Sequence, residues 1–335
     1  MSRALSNLLR MGHCAPSVAC TLTGSAGLAG RIHDPGDWLV RLAAGLPGGI
    51  GNTGGECGGV TAPLLVLGLR AGGRQRDGLP LVIEQGRDHC HRFEACHGSL
   101  LCRDILGTRH LPLPCLGVVR HAPARLAATL GDDAAPLPPA ARAAARRLLD
   151  HLAAARFHCA HAVLCRLEDW FPVTPELIDA TSGFVGGTAL LGLSCSALTA
   201  GVMALGLAAG EIEGSRARVA RMLATMAVGG DALRDGLNAF NPSVNRGRRL
   251  ARWFARDFGS TQCRALTHCD FSREAEVVRF VETEQVARCR RIAARVAERV
   301  AGILRGIPAE LPAGLPTEAP AGAPPGAHGA ERRTT

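Results

Sequence analysis

The sequence predicts an all-α fold made of two pseudo-equivalent helical bundle units, followed by a disordered C-terminal tail. Three observations carry this: an internal duplication, a near absence of strand-like alternation, and a Pro/Ala/Gly-rich end from Pro308 onward. The duplication is clearest where Gly45 to Gly72 superimposes without a gap on Gly183 to Gly210, at a shift of 138 positions. Gly45, Gly48, Gly49, Gly54 and Cys57 meet Gly183, Gly186, Gly187, Gly192 and Cys195, and Thr61-Ala62 and Leu67-Gly68-Leu69 recur as Thr199-Ala200 and Leu205-Gly206-Leu207. Upstream, His13-Cys14-Ala15 with Val18 and Cys20 matches His158-Cys159-Ala160 with Val163 and Cys165. Downstream, Phe93, Gly98, Ser99, Cys102 and Arg103 match Phe254, Gly259, Ser260, Cys263 and Arg264. A last cysteine in each half, Cys115 and Cys289, leads an apolar-and-arginine helix.

The elements follow in order. Residues 4–23 read as one or two short helices, with Pro16 in a first turn where proline is tolerated. Residues 24–36 read as loop, 38–44 as a short helix, and 45–55 as a glycine-rich loop opening the helix 57–69. A polar turn at 70–80 precedes a helix at 81–96, which Gly98-Ser99 ends. The first unit spans residues 1–130, and 131–139 (GDDAAPLPP) is a linker. The second unit spans 140–306 and opens with one long helix over 140–166. Thr174-Pro175-Glu176 has the cap and first-turn proline of a helix start. Arginine-rich helices are expected at 215–227 and 243–258, a terminal helix at 274–303, and a tail over 307–335.

Composition bounds the function. A chain of 335 residues with 47% hydrophobic content is globular and long enough for two domain-sized units. The +9 charge is all arginine, spread over several helices as solvated faces, and tyrosine is absent with 4% aromatics overall. Without an aromatic platform, nucleic-acid binding is not expected. The N-terminal segment reads poorly as a signal peptide, because Cys14 and Cys20 belong to the repeat. The uncharged run from Ala180 to Gly210 is long enough to suggest a membrane span, yet its counterpart is broken by Glu56 and denser glycines. Both runs therefore read as a glycine-rich loop and a buried helix of about 14 residues.

Thirteen cysteines stand no closer than six residues apart, so CxxC-type redox, zinc-ribbon and c-haem motifs are absent. The odd count suits a reducing, cytoplasmic compartment better than an oxidised scaffold. Cys57 and Cys195 each open a helix after glycines, where free N–H groups and the dipole favour a thiolate. The bland alternative is that buried cysteines are good small hydrophobes, and recurrence in the same context argues against it. His13 and His158 adjoin Cys14 and Cys159, but neighbours on a helix point about 100° apart. Cys20 and Cys165 read as core, and Cys90, Cys96 and Cys269 as surface or core fill.

In this order, HCAxxV, a glycine-rich loop into CGGVTA, GSLLCRDILG and a final cysteine, the sequence resembles the C-GCAxxG-C-C family, whose small helical members are described as redox-active. The resemblance covers nearly everything except linker and tail. It places the family cysteines on Cys14, Cys57, Cys102 and Cys115 in the first unit and on Cys159, Cys195, Cys263 and Cys289 in the second. The family's CGAxxG stands here as CGGVTA and CSALTA, with Ser196 where the first unit has Gly58. That puts the second site in doubt if the glycine admits a close approach.

The leading expectation is thiol–disulfide electron exchange by these eight cysteines with an unspecified redox partner, the two units pairing within the chain. The alternatives are a metal or iron–sulfur module with each unit's cysteines as ligands, and a membrane-associated transporter accessory protein. A cofactor is accordingly either none, or a metal or iron–sulfur cluster.

Overall fold

A computed structural model describes residues 2–24, 36–74, 78–107, 113–130, 139–211, 217, 219–220 and 242–307. Among these there are helices and no strands, only two isolated antiparallel bridges. The first unit holds α1 (Arg3–Met11), α2 (Cys14–Thr23), α3 (Gly36–Leu42), α4 (Gly58–Ala71), α5 (Gly78–His97), α6 (Cys102–Leu106) and α7 (Leu113–Leu130). The second holds α8 (Pro139–Ala154), α9 (Cys159–Cys165), α10 (Pro175–Thr181), α11 (Ser196–Ala209), α12 (Pro242–Phe258), α13 (Cys263–Thr267), α14 (Glu274–Glu282) and α15 (Gln285–Leu304). By sequence correspondence α2, α3, α4, α5, α6 and α7 repeat as α9, α10, α11, α12, α13 and α15.

Two expected helices are broken. The helix expected over 140–166 stops at Ala154, and Arg156 turns the chain in the left-handed region at φ 48°. The break seats Phe157 between Phe271 and Phe280, with ring centroids 6.0 and 5.0 Å away, and frees His158 to cap α9. Burial of an aromatic ring overrides the alanine-rich helix propensity there. The helix expected over 274–303 is interrupted at Thr283, which is extended at ψ 175°. The linker over 131–138, most of the loop over 24–36 and the tail from 308 lie outside the described residues, as does the helix expected at 215–227 apart from helical residues 217 and 219–220.

The two units share one apolar core. α3 of the first packs on α11 of the second, and α10 of the second packs on α4 of the first. Small residues allow both crossings. A Cβ on Gly206 would lie 2.6 Å from the Arg41 carbonyl oxygen, and one on Gly68 would collide with the carbonyl of Asp179, the residue matching Arg41. α11, the centre of the long uncharged run, has 14 residues and is buried over Ser196–Leu207. No helix among the described residues is long and apolar enough to cross a membrane.

Before α4 and α11 the backbone makes a short left-handed turn. Gly48, Gly49, Ile50, Gly51 and Asn52 all have φ between 51° and 78°, and their counterparts Gly186 to Leu190 lie between 52° and 73°. The two turns come close to the partner unit. Arg87 donates to the carbonyls of Ala189 and Leu190 at 2.9 and 3.2 Å. Glu56 is fully buried, and its carboxylate accepts from the Thr188 hydroxyl at 2.7 Å, from the Ser194 N–H at 2.9 Å and from the Ser194 hydroxyl. Ser194 is the residue that matches Glu56 across the duplication, so this contact lies on the pseudo-two-fold relation between the units.

Replacing Glu56 by alanine orphans a buried N–H and two hydroxyls, so E56A is expected to lose about 3 kcal/mol of stability. A urea unfolding curve checks this, with E56Q, which keeps an acceptor, losing less.

Candidate functional site

Each unit gathers four cysteines, and three of the four sit at helix N-termini. In the first, Cys14 is the first residue of α2, Cys57 is the N-cap of α4 and Cys102 is the first residue of α6. In the second the same places are held by Cys159, Cys195 and Cys263 on α9, α11 and α13. The fourth cysteine lies inside the first turns of a longer helix, Cys115 on α7 and Cys289 on α15.

The isolated bridges fix the middle pair. Where Glu56 meets Leu101, the Cys57 N–H donates to Leu100 O at 2.9 Å and the Cys102 N–H to Gly55 O at 2.7 Å. Where Ser194 meets Gln262, the Cys195 N–H donates to Thr261 O at 2.7 Å and the Cys263 N–H to Leu193 O at 2.6 Å. Both cysteines of a pair are thus held side by side by two or three residues of extended chain. A serine hydroxyl shapes each approach: Ser99 accepts from Leu101 N–H at 3.0 Å, and Ser260 from Gln262 N–H at 3.1 Å.

All eight repeat cysteines are free thiols. Cys57, Cys102, Cys159, Cys195, Cys263 and Cys289 are buried, while Cys14 and Cys115 keep partial exposure. Burial dominates most of their titration. It pushes the Cys14 thiol up despite backbone N–H groups of Gly48, Ala15 and Gly58 around its sulfur. It holds Cys57 well above the ordinary value, with the charges of Cys14 and Cys102 adding to the rise. Cys115 and Cys195 are pushed up to about 12 by burial first, and Cys263 is raised well above 9.0 by burial and by Cys195 and Cys289. Cys102 is also raised, by burial and then by Cys14 and Cys115.

One thiol behaves differently. The neighbouring Cys159 brings the Cys289 thiol below 9.0, and Cys289 with burial raises Cys159 well above it. The Arg288 cation lowers Cys289 further, against the opposing effect of its own burial.

The glycine-to-serine difference at the CGAxxG position has a local meaning. A Cβ on Gly58 would stand 2.7 Å from Cys14 Sγ, so the glycine admits the sulfur of its own unit's first cysteine. In the second unit Ser196 occupies that place, is buried, accepts from the Gly187 N–H at 3.2 Å and lines a small cavity with all four cysteines.

Other sequence candidates fall away from the centre. His158 does not act on Cys159: its Nδ1 accepts from the His161 N–H at 3.3 Å, which leaves the proton on Nε2 to donate to Ser182 O at 3.1 Å. Cys165 is exposed and Cys20 partly so, the latter accepting from Arg10 at 3.2 Å; neither is core, because each lies off the buried face of its helix. Cys90 and Cys269 are buried and Cys96 is exposed. Among the described residues, no three histidine, cysteine or acidic side chains stand in a metal-binding arrangement. The N-terminal positions of Cys14, Cys102, Cys159 and Cys263 carried one signal in the sequence, the repeated Gly-Ser ahead of Cys102 and Cys263. Arg288 carried none, since it is one arginine among many.

A duplicated all-α protein with a four-thiol centre in each copy is the class that fold and site define. The chain belongs to the family described as "Putative redox-active protein (C_GCAxxG_C_C)", which matches it twice, over residues 12–129 and 157–303. No curated protein and no solved structure matches it.

The buried imidazoles give a pH test. Burial lowers His158 from 6.5 to about 4 and holds His161 well below 6.5 as well. Between these values the unfolded chain binds the proton and the folded chain does not, so stability is complete above pH 6.5 and falls as pH drops toward 4. His158 keeps some solvent contact, and its expected share of the loss is about 2 kcal/mol. Urea midpoints between pH 7 and 4 check this, and H158N should flatten the profile.

Proposed function

We propose that the chain is a thiol-based redox protein whose second unit exchanges two electrons by closing a disulfide between Cys289 and Cys159. The observation that carries this is the placement of Cys159 and Cys289 on the wall of one small cavity, with Cys289 the one thiol of the eight brought below its ordinary titration. A thiolate is the nucleophile in thiol–disulfide chemistry, and a neighbouring thiol completes the exchange. Cys289 attacks an electrophilic sulfur or oxygen of the acceptor, the acceptor takes the electron pair, and Cys159 then loses its proton and displaces the adduct to form the S–S bond. Cys195 and Cys263, held as thiols, line the same cavity. The odd number of cysteines suits a reducing, cytoplasmic setting.

A second reading, a metal or iron–sulfur module, is supported by the four cysteines that line one small cavity in the second unit, three of them at helix N-termini. Dipole ends of that kind favour an anionic thiolate set.

Oxidation with diamide, followed by peptide mapping, is the test. A Cys159–Cys289 disulfide is expected, and C289S should slow loss of thiols in the second unit by at least about tenfold. Stoichiometric iron or zinc in protein purified without oxygen, lost on C195S, would replace this reading with the second.

A further inference from the structure

The second unit's centre is nearly closed. Cys159, Cys195, Cys263, Cys289, Leu266 and Ile292 line a small space with room for about one water-sized molecule. The four cysteines are between 5% and 8% exposed, so no sulfur stands at the surface. An acceptor that carries substituents on both sides of its reacting bond cannot bring that bond to Cys289 without opening the bundle. Among peroxides, a molecule of two linked oxygens exceeds this space least.

The rim of the space is also distinctive. Arg288 reaches from α15 to α13, where its Nη1 donates to Leu266 O at 3.0 Å, and Leu266 is itself a lining residue. This tether holds the guanidinium beside a residue that lines the space, one position before Cys289. The corresponding position in the first unit, immediately before Cys115, is Pro114, which has neither charge nor donor. Leu113 and Leu116 on that side are 61% and 41% exposed, so the first unit presents an apolar rim instead.

We propose, resting on the disulfide reading above, that the second unit's acceptor is a small hydroperoxide, with Cys289 the attacking sulfur, Cys159 the resolving one and Arg288 the residue that positions and charges the entrance. The Cys289 thiolate attacks one oxygen of hydrogen peroxide, the O–O bond breaks, and hydroxide leaves. Cys289 is then a sulfenic acid. The Cys159 sulfur attacks it, the S–O bond breaks, and the hydroxyl leaves as water with the Cys159 proton. Two thiols are oxidised and one peroxide is reduced. The first unit, lacking the cation, stays reduced on that timescale.

The experiment treats intact, reduced protein with equal concentrations of hydrogen peroxide, cumene hydroperoxide or oxidised glutathione, and quantifies disulfides by mass spectrometry. Hydrogen peroxide is expected to form Cys159–Cys289 at least about tenfold faster than either bulky oxidant, with Cys14 and Cys115 unchanged. R288Q is expected to slow the peroxide reaction about tenfold, while R288K, which keeps the charge, recovers most of it and controls for folding. Equal rates with cumene hydroperoxide, an R288Q rate equal to that of the parent, or first oxidation in the first unit would each overturn the proposal. A Cys159–Cys289 disulfide formed by oxidised glutathione but not by peroxide overturns this inference and leaves the disulfide reading standing. A sulfenic acid trapped on Cys289 with no disulfide following overturns both the resolving role of Cys159 and the disulfide reading.

Discussion

Thr188, Ala189 and Leu190 stand one after another in a conformation that costs an L-residue about 1–2 kcal/mol each, and left-handed residues ordinarily occur singly. What offsets that cost comes from the other unit. Glu56 accepts from Thr188, and Arg87 donates to the carbonyls of Ala189 and Leu190. The side chains of Ala189 and Leu190 are buried in the shared core. The matching turn in the first unit uses Gly48, Gly49, Gly51 and Asn52, which tolerate this region, and leaves Ile50 as its one strained residue. The second unit's turn therefore depends on the first unit's side chains more heavily than its own composition would suggest. Because each turn leads directly to its N-cap cysteine, the contact between units also sets where Cys57 and Cys195 sit.

Two opposing electrostatic effects meet at the cysteines. Helix N-termini and backbone N–H groups favour thiolates, while removal from water favours thiols. Burial wins at Cys14, Cys57 and Cys195, all at helix starts, so dipole ends alone do not make a reactive sulfur here. The exception, Cys289, lies in the first turns of its helix but is neither its cap nor its first residue. Its lowering comes from the neighbouring Cys159 and from the Arg288 guanidinium, both local to the second unit.

Much of this was legible in the sequence. A gapless repeat that includes glycines and a cysteine fixes equivalent loops and helices, and the 14-residue length of α4 and α11 follows from their glycine borders. The grouping of four cysteines in each unit was legible from the repeat itself, and the family resemblance singled out the same eight. Three features were not legible. The break at Arg156 depends on a pocket for Phe157 that residues more than 100 positions downstream create. Glu56 read as a stray charge in an apolar run, because its partners lie 132 and 138 residues away. Arg288 could not be separated from its neighbours Arg290 and Arg291 until its tether to Leu266 was known.

Duplication within one chain removes the constraint that a symmetric pair of identical subunits would impose. In such a pair, every change near one centre is repeated at the other. Here Ser196 replaces the position of Gly58 and Arg288 that of Pro114, and each change touches one centre only. Ser196 fills the place that in the first unit lets the first cysteine's sulfur approach the helix start, and Arg288 adds a cation at the opposite rim. The first unit keeps the tighter glycine contact and supplies Glu56 and Arg87 to its neighbour. Its residues brace the scaffold, while the changes that favour a thiolate are concentrated in the second. Departure from the family motif at Ser196 is thus not a sign of decay, since the centre that carries it is the one whose chemistry has moved furthest from an ordinary buried thiol.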